Sequence, residues 1–387
     1  MRERLRLSDL HVMFVCLDGH YGPLARRALA DAATFRNTGG NALLVCPPGS
    51  PLDQLAERQD IPRYPLEGGS DWRSLWALYQ LARQLVAQQG LDLVHCYQYR
   101  ALLALGAALK REAKIPLVYT CNEDLVLAYA PFWHDWFVTR TDQVLTFAPT
   151  LAEQVAGVLP LGPRKVASTG VGIDRPRVGG RPWGGGGGRR VVTFLPSDAT
   201  TTDRLWPLLA ALAGLTAAAG ENVVLELVSD KSWYDHPLYP ALKHAVLERG
   251  LEHQMAFHPL TVTDGGLCGQ DIFVAPESAD PFDDVEVRAI LMGIPVLLPR
   301  TPARTELLDG GKLGLTYAGG DVRELRAKAL EILSRRPEFV KSLGTVHASL
   351  WESHQSDTYC ENLFQTYERL VLQRLRFALR RRSPFAS

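Results

Sequence analysis

The 387-residue chain lacks a long apolar run, an excess of charge of either sign and any paired-cysteine motif. Its longest apolar helical segment, at 101–109, is shorter than the about 20 residues that a membrane helix needs. Lys plus Arg and Asp plus Glu number 42 each, so no basic field indicates a nucleic-acid partner. The six cysteines include no CxxC pair, so neither a zinc site nor a disulfide framework is indicated.

The amino-terminal segment and the cysteines favour an intracellular protein. Residues 1–19 start with charges and lead into a short apolar run without a small-residue cleavage site, so we interpret the run as a strand and not as a signal peptide. Reduced, buried thiols are the simplest interpretation of the cysteines. We therefore expect a cytoplasmic protein.

Short Val- and Leu-rich runs alternate with helical periodicity, which is typical of parallel strands covered on both faces by helices. In the first half the predicted strands are 11–16, 41–46, 91–95, 116–120 and 143–147, and the predicted helices are 23–38, 72–89, 100–111, 132–140 and 150–158. In the second half the predicted strands are 190–195, 222–229, 255–258, 271–275 and 295–298, and the predicted helices are 205–219, 240–249, 285–292, 322–335, 337–343 and 356–381. The pattern predicts two successive α/β domains.

A run of five glycines at 184–188 lies between the two halves. Such a run holds no fixed backbone and is typical of a flexible connector, with a surface loop inside one domain as the alternative. We predict an N-terminal domain at 1–176, a linker at 177–190, a C-terminal domain at 191–355 and a C-terminal helix with a basic tail at 356–387. Two Rossmann-like domains would face a central cleft, the expected ligand site.

The order of these segments resembles glycosyltransferase family 4, whose members have the GT-B fold. The resemblance rests on VMFVCLDG with the helix beyond it, LDLVHCYQYRALLALGAAL, GVGIDRPRV and DIFVAPESADPFDDVEVRAILMGIPVLLPRTPARTELL. The last segment is the most specific, because Pro-Phe, Gly-x-Pro-Val and Glu306 keep their spacing. The resemblance implies transfer of a sugar from a nucleotide sugar to a glycan or lipid-linked acceptor, with retained anomeric configuration and without a cofactor or obligatory metal.

The donor-side positions that the resemblance identifies carry replacements. The family holds the donor diphosphate with an Arg and a Lys; the aligned residues are Asp198 and Asp203, or Arg204 for the second if the alignment slips by one place. The two family Glu residues, which contact the donor sugar and the ribose, correspond to Asp280 and Arg288. A guanidinium only donates hydrogen bonds, so Arg288 cannot accept one from a ribose hydroxyl.

The family positions in the N-terminal domain carry replacements too. A family His near the reacting centre corresponds to Asn122, and a second family His corresponds to Tyr97. The glycine-rich first loop remains as Gly19 and Gly22, with His20 between them. Strand-end loops of this kind bind ligands in such sheets.

These replacements leave two hypotheses open. One is a glycosyltransferase with a degenerate donor site, in which Asp280 and Asn122 are catalytic. The other is a non-catalytic pseudo-glycosyltransferase that binds carbohydrate or pairs with an active homologous glycosyltransferase. We assign substrate contacts to Gly19, His20, Gly22, Tyr97, Asp198, Asp203, Asp283, Arg288 and Glu306. Two carboxylates in place of two cations oppose a dianionic ligand, and each unit pair at about 4 Å is worth roughly 4 kcal/mol at an effective dielectric of 20.

Other features allow two interpretations each. The acidic residues around the family's Pro-Phe form either a Mg²⁺ site or a solvated loop and helix start; they are Asp280, Asp283, Asp284 and Glu286. The aromatic segment at 229–240 is either a sugar-stacking loop or a plain surface loop. His95 is either a satisfied strand-end histidine or a cleft residue. The basic C-terminal helix either lies on the inner face of the membrane or is solvated; its arginines are Arg374, Arg376, Arg380, Arg381 and Arg382.

Overall fold

The structure is a computed structural model. It describes residues 6–19, 21–67, 72–88, 90–112, 114–122, 132–175, 189–194, 206–219, 222–229, 236, 238–258, 267, 269–276 and 283–382. Two compact units make up the chain, one of residues 1–172 with 356–387 and one of residues 173–355. The predicted linker at 177–190 lies almost wholly outside the described residues.

The first unit is built on a seven-stranded parallel sheet with the strand order β3-β2-β1-β4-β5-β6-β7. Its strands are β1 (His11–Val15), β2 (Asn41–Cys46), β3 (Arg63–Pro65), β4 (Leu93–Cys96), β5 (Leu117–Cys121), β6 (Gln143–Thr146) and β7 (Val166–Ser168). The helices of this unit within residues 1–172 are α1 (Pro23–Asn37), α2 (Pro51–Arg58), α3 (Trp72–Ala87), α4 (Tyr99–Ala108), α5 (Phe132–Val138) and α6 (Pro149–Val158).

The second unit has a six-stranded parallel sheet with the order β10-β9-β8-β11-β12-β13. Its strands are β8 (Arg189–Phe194), β9 (Val223–Val228), β10 (Met255–His258), β11 (Ile272–Val274), β12 (Val296–Pro299) and β13 (Gly314–Tyr317). Its helices are α7 (Trp206–Ala219), α8 (Tyr239–Glu248), α9 (Asp284–Leu291), α10 (Pro302–Leu307), α11 (Val322–Ser334) and α12 (Arg336–His354). The predicted α/β class with two parallel sheets is confirmed.

The last helix, α13 (Ser356–Arg382), returns to the first unit. Phe35 of α1 packs against Phe14 of β1 at 6.0 Å and against Phe364 of α13 at 5.8 Å, measured between ring centroids. Helices α1 and α13 therefore cover one face of the first sheet together. Burial of these aromatic rings is a large favourable contribution to the core of this unit.

Right-handed crossovers place α3, α4 and α5 on the other face of the first sheet, because through these helices the chain moves across the sheet in the opposite direction from its path through α1 and α2. Contacts between α3 and α4 and between α4 and α5 agree with this placement. Among the helices of the described residues, none has both the length and the apolar composition that a membrane crossing requires.

Candidate functional site

Parallel sheets bind ligands at the carboxyl ends of their strands, so the segments that follow these ends define the candidate site in each unit. In the first unit, the loop from β1 to α1 holds Gly19 and Gly22. Gly19 has open space where a Cβ would lie, and Gly22 precedes Pro23, the first residue of α1. The backbone N–H of Leu17 donates to Gln98 Oε1 at 2.8 Å, which ties this loop to the start of α4. His20 lies outside the described residues.

Tyr97 and Asn122 follow β4 and β5 at the same edge, and both side chains are fully buried. The Tyr97 hydroxyl donates to Asp31 Oδ2 at 2.6 Å. Burial raises the pKa of Tyr97 well above its usual value, so the phenol stays protonated. The Tyr97 side chain thus contacts the interior of the unit and has no exposed surface. The substrate roles of Tyr97 and Asn122 stay predictions.

His95 is a satisfied core histidine, as one of the two interpretations held. Its Nδ1 lies 2.6 Å from the hydroxyl of Tyr367 in α13, and its Nε2 lies 2.7 Å from Thr120 Oγ1 in β5. Burial lowers the pKa of His95 to about 3. The imidazole is therefore neutral near pH 7 and links the sheet to the last helix.

Asp31 of α1 is the centre of a buried polar network that sequence reasoning missed. Its carboxylate accepts from Arg27 Nε at 2.8 Å, from Tyr97 Oη at 2.6 Å and from Tyr359 Oη of α13 at 3.1 Å. Burial raises the pKa of Asp31, and the Arg27 guanidinium opposes the rise. The i, i+4 spacing of Arg27 and Asp31 was the available signal, since both charges interrupt an otherwise apolar helix face.

Arg27 also holds the point at which the chain leaves the first unit. Its Nη1 donates to the carbonyl oxygens of Val171 and Gly172, each at 3.0 Å, and its guanidinium carbon lies 4.1 Å from the centre of the Tyr359 ring. Gly172 has a φ of +61°, and a Cβ there would lie 2.4 Å from Arg27 Nη1. Only glycine fits this conformation and this space.

In the second unit, Asp283 caps helix α9. Its Oδ1 accepts from the backbone N–H of Val285 at 3.1 Å, and Asp284 adds a second carboxylate in the first helical turn. Both charges favour the positive end of the helix dipole. The structure thereby supports the helix-start interpretation of these two acidic residues.

Glu286 forms a buried ion pair with Arg304 of α10, and both side chains are 1% exposed. Arg304 Nε donates to Glu286 Oε1 at 2.9 Å, and Nη2 donates to the same oxygen at 2.6 Å. Burial raises the pKa of Glu286, and Arg304 opposes the rise. Because Glu286 is bound to Arg304, it does not serve as a Mg²⁺ ligand here. Within the described ranges, no group of three or more His, Cys, Asp or Glu side chains can hold a metal ion.

The remaining donor-side positions are spread over α9, α10 and the strand ends. Arg288 is half-buried in the last turn of α9, and Glu306 is exposed on α10. Arg300, which follows β12, pairs with Glu324 of α11. The positions predicted to contact phosphate and sugar lie outside the described residues; they are Asp198, Asp203 and Asp280. Most of the aromatic segment at 229–240 lies outside them too.

The basic C-terminal helix is attached to the first unit by some of its own arginines. Arg374 Nε donates to Asp142 Oδ1 at 2.9 Å, and Arg369 Nη2 donates to Gln143 Oε1 at 2.9 Å. Arg374 therefore contributes to packing within the unit. The membrane contact predicted for this helix is not tested by these bonds and stays a prediction.

Comparison with known proteins adds a family match and a set of structural neighbours. Residues 25–177 match the sequence model of Glycosyltransferase Family 4. The comparison with curated protein sequences found no match.

Three solved structures illustrate the structural likeness. A glycosyltransferase from Rickettsia africae has a TM-score of 0.74 at 11% identity, over 94% of this chain and 99% of its own. Anabaena HepE in complex with UDP-glucose has a TM-score of 0.70 at 16% identity, over 92% and 99%. Sucrose-phosphate synthase from Thermosynechococcus elongatus has a TM-score of 0.71 at 14% identity, over 94% and 100%.

The chain thus has the GT-B fold of glycosyltransferases. Within this class, residues 25–177 relate it to glycosyltransferase family 4. The resemblance noted from the sequence is confirmed over residues 25–177. At these identities the solved structures establish the fold alone.

Proposed function

We propose that this chain transfers a sugar from a nucleotide-sugar donor to a glycan or lipid-linked acceptor, with a weakened donor site and no cofactor. The observation that supports this proposal is the GT-B fold along 92% of the chain, shared with a protein whose structure contains UDP-glucose. Fold likeness alone does not define an activity, so the donor-side residues decide how strong the activity is.

Two described cations of the donor block are engaged by carboxylates. Arg304 is bound to Glu286 with both side chains buried, and Arg300 is paired with Glu324. A diphosphate would have to compete with these carboxylates for positive charge. Loss of one preorganised electrostatic contact costs about 10²–10³ in rate, so we propose slow transfer and weak donor binding.

A second candidate is a non-catalytic protein that binds carbohydrate or pairs with an active glycosyltransferase. The buried Glu286–Arg304 pair favours it, because this pair keeps a cation of the donor block within the core of the unit. The two candidates differ in one property, the release of nucleoside diphosphate from a donor sugar.

The test is an assay of UDP and GDP release from a panel of nucleotide sugars, with the full chain at high concentration and long incubation. We expect slow release that is lost in Asp280→Asn. The matched control is Asp309→Asn, an exposed carboxylate of the second unit that pairs with Lys312 and lies outside the donor block. No release from the wild type would favour the non-catalytic candidate, and equal release in both variants would show that Asp280 has no part in the reaction.

A further inference from the structure

A cavity of about 510 Å³ opens beneath the amino ends of the strands of the first sheet. It lies at the edge opposite to the candidate site of this unit, which is formed by segments beyond the carboxyl ends. Its walls come from the first residues of β1 and β2 and from the segments that lead into β2, β3 and β4. Ligand pockets of proteins measure about 300–1,000 Å³, so this cavity is large enough for a small organic molecule.

The turn between α1 and β2 forms one wall of the cavity and has a defined backbone. The N–H of Gly39 donates to the carbonyl oxygen of Arg36 at 2.8 Å. The N–H of Gly40 donates to the carbonyl oxygen of Phe35 at 3.2 Å. A Cβ on Gly40 would lie 2.4 Å from the Phe35 ring, so only glycine lets the turn approach the helix so closely. This wall is therefore formed before any ligand binds.

Arg36, in the last turn of α1, is a half-buried cation that lines the cavity. Within the described part of the chain, its Nη1 is buried and has no hydrogen-bond partner. Arg36 does not cap its own helix, because the last-turn carbonyl oxygens at 34–36 already accept backbone N–H groups from the turn at 38–39. An unpaired buried donor is costly, above all on a charged group, and in native proteins a bound water or ion usually explains it.

The other residues that line the cavity select the chemistry of a ligand. Most of the wall is apolar, and His11 and Asn41 add exposed polar side chains. No Asp or Glu is among the described lining residues. A guanidinium pairs with a carboxylate or a phosphate through two parallel hydrogen bonds, whereas a neutral ligand would leave the charge unpaired. The apolar side chains of the wall are Val12, Ala42, Leu43, Leu85 and Leu91.

We infer that this cavity binds a small organic anion, with its carboxylate or phosphate at Arg36 and its apolar body against the leucines. The anion supplies the partner that Arg36 Nη1 lacks, and the apolar body removes the surfaces of Leu43 and Leu85 from water. The inference does not depend on the proposed sugar transfer, because the cavity and the candidate site lie at opposite edges of the sheet.

The test is calorimetric titration of the full chain with phenyl phosphate and with benzoate, which carry the two anionic groups on the same apolar ring. Inorganic phosphate lacks the ring, and benzyl alcohol lacks the charge. We expect at least one of the organic anions to bind at least about tenfold more tightly than either of these two compounds, because only an organic anion uses both the guanidinium and the apolar wall. The relative affinities of phenyl phosphate and benzoate then distinguish a phosphate ligand from a carboxylate ligand.

Two variants test the site itself. Arg36→Met keeps the apolar stem of the side chain and removes its charge, so the organic anion should bind at least about tenfold more weakly. Arg58→Met is the matched control and should bind like the wild type, because Arg58 is an exposed arginine in the last turn of α2 that does not line the cavity. In Gly90→Phe the new ring should block the cavity and weaken binding with Arg36 intact, because Gly90 lines the cavity and a Cβ there meets open space.

Thermal unfolding shows whether each variant folds and gives a second readout. The saturating anion should raise the unfolding midpoint of the wild type and of Arg58→Met, because a ligand that binds only the folded state stabilises it. Several results would overturn the inference. They are no binding of either organic anion, equal affinities of Arg36→Met or Gly90→Phe and the wild type, and binding of benzyl alcohol or inorganic phosphate that is as tight as that of the organic anions.

Discussion

Replacing Asp31 by Asn should destabilise the first unit strongly. The carboxylate of Asp31 receives hydrogen bonds from the guanidinium of Arg27 and from the hydroxyls of Tyr97 and Tyr359, and its side chain is 0% exposed. An amide of the same shape removes the negative charge and turns one acceptor into a donor. Breaking a buried ion pair by removing one partner costs about 3–5 kcal/mol, against a total stability of about 5–15 kcal/mol for a folded protein.

The assay is urea unfolding, followed by hydrogen exchange of β1 and β4, which report on the first unit. We expect the unfolding midpoint to fall in Asp31→Asn, and part of the loss to be recovered in the apolar double variant Arg27→Met/Asp31→Leu, because no unpaired charge remains. Asp309→Asn breaks an exposed pair and should cost at most about 1 kcal/mol. A loss below about 1 kcal/mol in Asp31→Asn would show that the buried Arg27–Asp31 pair does not hold the first unit together.

Three further predictions concern buried groups. The pKa of His95 is lowered to about 3 in the folded unit, against 6.5 for an unperturbed histidine. His95 therefore leaves the free energy of unfolding unchanged above pH 6.5 and lowers it as the pH drops from 6.5 towards 3. Between about pH 7 and pH 5, urea unfolding should show a loss about 2 kcal/mol larger in the wild type than in His95→Gln; equal losses would contradict it. Gly172→Ala should cost about 2–4 kcal/mol, because alanine is strained at a φ of +61° and its methyl would overlap Arg27; an unchanged unfolding midpoint would show that the site relaxes. Glu286→Gln should destabilise the second unit by about 3–5 kcal/mol, with partial recovery in Glu286→Gln/Arg304→Met, as monitored by hydrogen exchange of β11 and β12; unchanged exchange would argue against the pair.

Long apolar strands and amphipathic helices could be predicted from the sequence, because each has its own periodic signal. Strands β1 and β2 and helices α1 and α3 agree with their predicted ranges within one or two residues. These elements are buried along one face or on both faces, so the hydrophobic pattern and the structure carry the same information.

Short edge elements were missed for a physical reason. Strands β3 and β7 have three residues each and are mostly exposed or half-buried, so they have no apolar run to detect. Helix α2 was also missed, although Ser50 accepts from the backbone N–H of Asp53 at 3.1 Å and Pro51 follows it, which is a helix-start signal. Helix α12 extends well beyond the predicted range of 337–343. The prediction was too short because few residues of this helix are buried and its apolar pattern is weak.

The candidate site was predictable only in part. The resemblance identified the strand ends and the donor block, but the partners of the side chains there come from distant parts of the chain. His95 and Tyr367 are 272 residues apart, and Asp31 and Tyr359 are 328 apart. No local pattern encodes such pairs. Helix α13, predicted as a separate basic segment, thus completes the core of the first unit.

A weakened donor site is tested by calorimetric titration of the full chain with UDP, GDP and their sugars. The acidic replacements, together with the engagement of Arg304 by Glu286, predict dissociation constants weaker than about 1 mM. A micromolar affinity for a nucleotide sugar that Asp280→Asn abolishes would contradict a weakened donor site.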